Sequence, residues 1–198
     1  GGQCFKVSFG NTTLVFDPIS KKSKLGSVKF GADVAFVSLN HPDFNGGEEM
    51  AFGAKEPFVV HGPGEYEVGD VTARGYGTQT TYEGVTRYNT IYQVSLEGIN
   101  LVFLGALGSE AIDPKILGEL GDIDILFVPI GGEGVLDSQE AYKLAVKREP
   151  KVIIPIHFGS IGEKDALKRF LEEGGAEDTT AVEKLTVNDW TQLEYTPE

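Results

Sequence analysis

Apolar positions follow two textures along this chain. The first half carries short β-rich runs punctuated by turn residues; the second alternates unbroken apolar runs with stretches of helical period. Cys4 to Phe9 and Thr13 to Phe16 flank Gly10-Asn11 and predict a hairpin. Val34 to Ser38 reads as a buried strand and Pro57 to Val60 as another strand, broken by His61-Gly62-Pro63-Gly64. Glu65 to Val68 and Val71 to Arg74 pair around Gly69-Asp70, and Asn89 to Ser95 and Ile99 to Leu104 pair around Glu97-Gly98. Between these hairpins, Gly75 to Gly84 is rich in glycine and threonine, and its composition predicts a mobile rim.

In the second half, Pro114 to Leu120 predicts a short helix and Ile123 to Pro129 a fully buried strand. Ser138 to Glu149 is the strongest helix: Asp137 and Glu140 form a capping pair, Ala141, Leu144 and Ala145 share a face, and Pro150 stops it. Val152 to Ile156 is a buried strand ending at His157, and Glu163 to Glu173 is an amphipathic helix closed by Gly174. Closing strands are expected around Glu183 to Val187 and Gln192 to Tyr195. Sheets with helices on their outer faces fit this order, an α/β sandwich in one domain spanning residues 1–198.

Composition narrows the classes. No apolar stretch approaches the ~20 residues of a membrane helix, and no charged-then-apolar leader is visible. The chain opens on Gly1-Gly2 without an initiator methionine, which leaves the true amino terminus open. One cysteine, Cys4, excludes an internal disulfide and suits a reducing compartment, so a cytoplasmic location is expected. Cys4 reads as a small core residue rather than a nucleophile. A net charge of −13 repels phosphate backbones, and Lys21, Lys22, Lys24 and Lys29 read as a solvated loop. Nucleic acid and membrane are therefore disfavoured as partners.

The candidate chemistry gathers just beyond the carboxyl end of Val34 to Val37, where α/β folds place ligand sites. That loop carries Asn40, His41, Asp43 and Asn45. From the residues alone, His41 serves as a ligand or holds its loop, Asp43 ligates or caps a short helix through Glu48 and Met50, and His157 ligates or is a satisfied imidazole. Asp17 caps locally or orients the site from behind. No Gly-x-Ser-x-Gly elbow, Walker loop or Gly-x-Gly-x-x-Gly fingerprint is present.

Leu39-Asn40-His41-Pro42-Asp43-Phe44 resembles the His-x-His-x-Asp-His motif of the metallo-β-lactamase superfamily. The resemblance extends through Gly2 to Val7 with Asp17-Pro18, Gly62 to Val71, Tyr88 to Tyr92, LVFLGALG, DIDILFVPIGG and Ile154 to Ser160. It is nearest to the branch of metal-dependent hydrolases that includes the ascorbate-6-phosphate lactonases. It implies an αββα sandwich and, in typical members, two zinc or manganese ions that activate a bridging hydroxide.

Carried over residue by residue, the motif histidines fall on Leu39, His41 and Phe44 and its aspartate on Asp43. The later histidine falls near Thr80, the bridging aspartate on Ala106 and the last histidine on His157. His41, Asp43 and His157 are residual ligands, with Asp43 and His157 the candidate catalytic pair and Asp17 and Glu65 supporting them. Leucine, phenylalanine and alanine cannot donate to a metal. The expectation is a non-hydrolytic binding or scaffold protein with no cofactor, or at most one zinc or manganese ion at partial occupancy. Its partner would be a small molecule, a protein or a second copy of the chain. The alternative is a hydrolase of lactones, esters or phosphoesters with a reduced mononuclear site.

Overall fold

The Gly10-Asn11 turn joins β1 (Phe5–Phe9) to β2 (Thr12–Phe16), antiparallel with Phe9 opposite Thr12. In the computed structural model, which describes residues 2–182 and 184–186, β3 (Val34–Val37) and β4 (Phe58–His61) add in parallel to complete a sheet ordered β1-β2-β3-β4. A second, six-stranded sheet begins as an antiparallel meander: β5 (Gly64–Val68), β6 (Val71–Tyr82), β7 (Val85–Leu96) and β8 (Ile99–Phe103). Then β9 (Ile125–Pro129) and β10 (Val152–Ile156) extend it in parallel, giving the order β10-β9-β8-β7-β6-β5. The unbroken apolarity of β3 and β9 has its cause here, since both strands are buried throughout.

The two sheets face each other across an aromatic layer. Phe5 and Phe36 both stack on Phe16, and Phe5 reaches across to stack on Phe127 at 4.2 Å between centroids. Against the other face of the six-stranded sheet lie α1 (Pro114–Glu119), α2 (Ser138–Arg148) and α3 (Ala166–Glu173). Ala141, Leu144, Ala145, Ala166 and Phe170 join Val102, Leu126 and Val128 in that second core. The predicted capping box of α2 is present in both directions, Asp137 with Glu140. The helical layers are unequal: among the described residues the four-stranded sheet carries only a 3-10 turn, Gly47–Met50, whose Met50 seals Val15, Ala32 and Ala35. No helix among the described residues is long and apolar enough to cross a membrane.

Several expectations need correction. Gly75 to Gly84 is not a rim of loose loop: β6 runs through it to Tyr82, paired residue for residue with β7 from Val71 opposite Leu96 to Tyr82 opposite Val85. The strand alternates Thr80 and Tyr82 inward with Gln79 and Thr81 outward, and the interspersed glycines mask that period in the sequence. The turn is Glu83-Gly84, both residues at positive φ (50° and 73°), as a tight two-residue hairpin requires. Asp43 does not cap; the 3-10 turn begins after Gly46 with no side-chain cap. The second amphipathic helix starts at Ala166 rather than Glu163. Of the closing strands, residues 184–186 are not strand, and the rest of that pair lies outside the described residues.

Candidate functional site

The loop after β3 is held by backbone before any side chain acts. Thr90 N–H of β7 donates to Ser38 O at 2.9 Å, and Leu39 and Asn89 form an isolated antiparallel bridge. Asn89, fully buried, then gathers the neighbouring loops. Its amide donates to Thr78 Oγ1 and Leu104 O, and its carbonyl accepts Ala106 N–H at 2.7 Å. Gly105 sits at φ 61°, and a Cβ there would lie 2.5 Å from both Asn89 Oδ1 and Ser38 Cβ. Only glycine meets both conditions.

Three polar side chains meet at the mouth of this arrangement. His41 Nδ1 accepts Asp43 N–H at 3.3 Å, which leaves the ring proton on Nε2 to donate to Glu83 Oε2 at 3.2 Å. Asp43 Oδ2 lies 3.5 Å from His41 Nδ1 and accepts from the Tyr82 hydroxyl at 3.2 Å, while Oδ1 accepts from the Ser23 hydroxyl. One ligand atom each from His41, Asp43 and Glu83 lie within 4.8 Å of one another. Burial, then the charges of Asp43, Glu83 and Glu133, hold the Tyr82 phenol above its usual pKa.

Immediately inward the character reverses. Leu39, Phe44 and Ala106, at most 1% exposed, form one apolar cluster with Tyr82 and Val135. Thr80 is buried beside it, its hydroxyl donating to Gly134 O at 2.7 Å. The rings of Phe44 and Tyr82 have centroids 5.1 to 6.0 Å from those of both His41 and His157, so the four rings form one cluster.

His157 is 2% exposed, just past the end of β10, with φ 59°. Its Nδ1–H donates to Gln3 Oε1 at 2.9 Å, and Gln3 Nε2–H donates in turn to Asp17 Oδ2. Asp17 is wholly buried at φ 42° and also accepts Ser38 N–H (2.7 Å) and Ser38 O–H (2.6 Å). Two non-glycine residues in the left-handed region, joined through one glutamine, mark stored backbone strain. Burial lowers the His157 pKa to about 4 against a small opposing pull from Asp43; burial raises that of Asp17 to about 7 despite its hydrogen bonds.

The predicted site residues therefore divide. His41 and Asp43 come together, Asp17 supports His157 through Gln3, and His157 bonds to Gln3 rather than to either of the other two. Glu65 does not support the site: it is exposed on β5, paired with Arg74 at 2.6 Å. Arg74 stands six residues before Thr80 on β6, roughly 20 Å along the strand. His61 is exposed at the end of β4. Gln3, Tyr82 and Glu83 were not foreseen. The Glu83-Gly84 dipeptide is a hairpin-turn signal in the sequence, but nothing in it says where that turn docks.

Residues 1–157 match the family model described as a beta-lactamase superfamily domain. The chain belongs to the metallo-β-lactamase superfamily. Among superfamily relatives, a UPF0173 metal-dependent hydrolase of Listeria innocua is 27% identical over 191 residues, covering 81% of this chain and 83% of its own. A UPF0173 protein of Pyrococcus furiosus is 25% identical over 188 residues, covering 83% and 84%. A Thermotoga maritima structure, described as a Zn-dependent hydrolase of the metallo-β-lactamase superfamily, matches with a TM-score of 0.70 and 30% identity over 87% of this chain and 82% of its own. A Parabacteroides distasonis protein shares the fold, at TM-score 0.63 and 17% identity over 87% of this chain and 86% of its own.

Proposed function

We propose that this superfamily member does not hydrolyse through a dinuclear metal centre and serves instead as a binding or scaffold protein. The observation that supports this reading is the burial of Leu39, Phe44 and Ala106 in one apolar cluster. These are positions where the superfamily motif calls for imidazole or carboxylate. Two cations need about five to seven nitrogen or oxygen ligands and a bridging anion. The donor set here does not fit that requirement: Leu39, Phe44 and Ala106 offer no lone pair, Thr80 brings only a neutral hydroxyl, and His157 is buried against Phe44 and Tyr82 with Nδ1 bonded to Gln3. The proposed occupant is a small molecule or a protein, a second copy of this chain included, and the proposed location is the cytoplasm. Nucleic acid remains disfavoured by the charge of −13.

The test is elemental analysis of the purified chain after incubation with zinc or manganese, beside phosphodiesterase and lactonase assays. No turnover and fewer than two ions per chain are expected. Two ions per chain with turnover would overturn the reading.

The rival reading is a hydrolase of lactones, esters or phosphoesters with a single metal on Asp43 and His157. It draws on relatives named as metal-dependent hydrolases. It requires His157→Ala to abolish both metal uptake and activity, and unchanged uptake would remove it.

A further inference from the structure

We propose that His41, Asp43 and Glu83 form a single divalent-cation site of the zinc or manganese class that clamps the tip of the β6–β7 hairpin to the loop after β3. The site is displaced outward from the superfamily position, takes Glu83 as a ligand from the hairpin turn, and leaves His157 out. It adds a cation to the binding or scaffold reading and stands whether or not that reading survives.

The donor chemistry comes first. One imidazole and two carboxylates form the borderline nitrogen and oxygen set that zinc and manganese accept. With metal–ligand bonds of about 2.1 Å, ligand atoms sharing a cation sit roughly 3.4 Å apart. His41 Nε2 and Glu83 Oε2 are already 3.2 Å apart, and all three residues offer atoms within 4.8 Å. Closing the remainder falls to Glu83, whose side chain is 65% exposed, while His41 and Asp43 are 13% and 14% exposed and held in place.

The groups behind the ligands point the same way. Asp43 is oriented by hydroxyls from Ser23 and Tyr82, neutral donors that leave lone pairs on both carboxylate oxygens. The His41 ring is packed against the faces and edges of Phe44 and Tyr82. Binding through Nε2 puts the ring proton on Nδ1, which exchanges the hydrogen bond it accepts from Asp43 N–H for one donated to Asp43 Oδ2, 3.5 Å away.

The site differs from the superfamily centre in its third ligand: Glu83 comes from the hairpin turn, while His157 is packed against Phe44 and Tyr82 and bonded to Gln3. Its experiment needs no substrate. Zinc chloride and manganese chloride are titrated calorimetrically into the full chain stripped with EDTA, with circular dichroism confirming the fold of each variant. One ion per chain is expected for the wild type. Glu83→Gln should weaken binding at least tenfold, and His157→Gln should leave it within twofold. No binding by the wild type, unaltered binding by Glu83→Gln, or loss of binding in His157→Gln would each overturn the proposal. Turnover with two ions per chain, by contrast, would overturn the non-hydrolytic reading, so the two fail on different results.

Discussion

The ring of Phe44 lies parallel to the imidazole of His157, with planes 5° apart and centroids 6.0 Å apart. Where the superfamily motif places a histidine, an aromatic hydrocarbon thus covers a neutral imidazole. Phe44 is 1% exposed and at the centre of the apolar cluster. Phe44→Ala should destabilise the chain by about 3–5 kcal/mol, through lost burial and the cavity left behind. Urea unfolding of wild type and variant measures it.

Ala106 stands where the bridging aspartate would be, and its surroundings are Leu39, Phe44, Tyr82 and Val135. Ala106→Asp places a carboxyl group against hydrocarbon with its own backbone N–H already committed to Asn89. A loss of about 2 kcal/mol or more is expected from an unpaired buried carboxyl. Zinc should not rescue it, since Leu39 and Phe44 still supply no ligand. Denaturation midpoints with and without zinc chloride decide the matter.

Asp17 and His157 give the chain two opposed pH dependences. Folded Asp17 keeps its proton from its usual 3.8 up to about 7, a range where the unfolded chain has released it, so its contribution to stability is lost as pH rises through that window. Folded His157 stays neutral between about 4 and its usual 6.5, where the unfolded chain is protonated, so its contribution is lost as pH falls through that window. The slopes oppose each other between pH 4 and 6.5, each limited to about 1.4 kcal/mol per pH unit. Relative to wild type, His157→Gln should gain stability towards pH 4 and Asp17→Asn towards pH 7. Urea midpoints across that range would show the two curves diverging in opposite senses.

Gly105 occupies a backbone setting that any side chain would spoil twice, by its φ of 61° and by the 2.5 Å approach to Asn89 Oδ1 and Ser38 Cβ. Gly105→Ala should cost about 2–4 kcal/mol, more than left-handed strain alone, because Asn89 must move and release Ala106. Thermal unfolding of the variant gives the figure, and an effect below about 1 kcal/mol would show that Asn89 has room to shift.

The layers of the fold were legible where burial dictates composition. Strands such as Val34–Val37 and Ile125–Pro129 can afford no polar residue, and α2 announces itself through Asp137, Glu140 and Pro150. The β6–β7 hairpin was obscured because its strands expose one face and carry Gly75 and Gly77 on the chain between threonines. At the site, His41, Asp43 and His157 were legible as residue types, and the aromatic packing among them was not. It arises from Phe44 and Tyr82, which come from different segments and meet only after folding. Glu83 and Gln3 were invisible for the same reason: each acts on a residue tens of positions or more away in the chain.

The bridge between Leu39 and Asn89, with Thr90 N–H donating to Ser38 O, welds the two sheets through backbone at this one end. The sandwich cannot part there like the covers of a book. Beyond that joint the hairpin runs on as a cantilever of four paired residues per strand, Gln79 to Tyr82 against Val85 to Tyr88, with Glu83 at its tip. The Thr90 amide should therefore exchange with solvent as slowly as the deep core, while the amides flanking Glu83 exchange on the timescale of the cantilever's own bending.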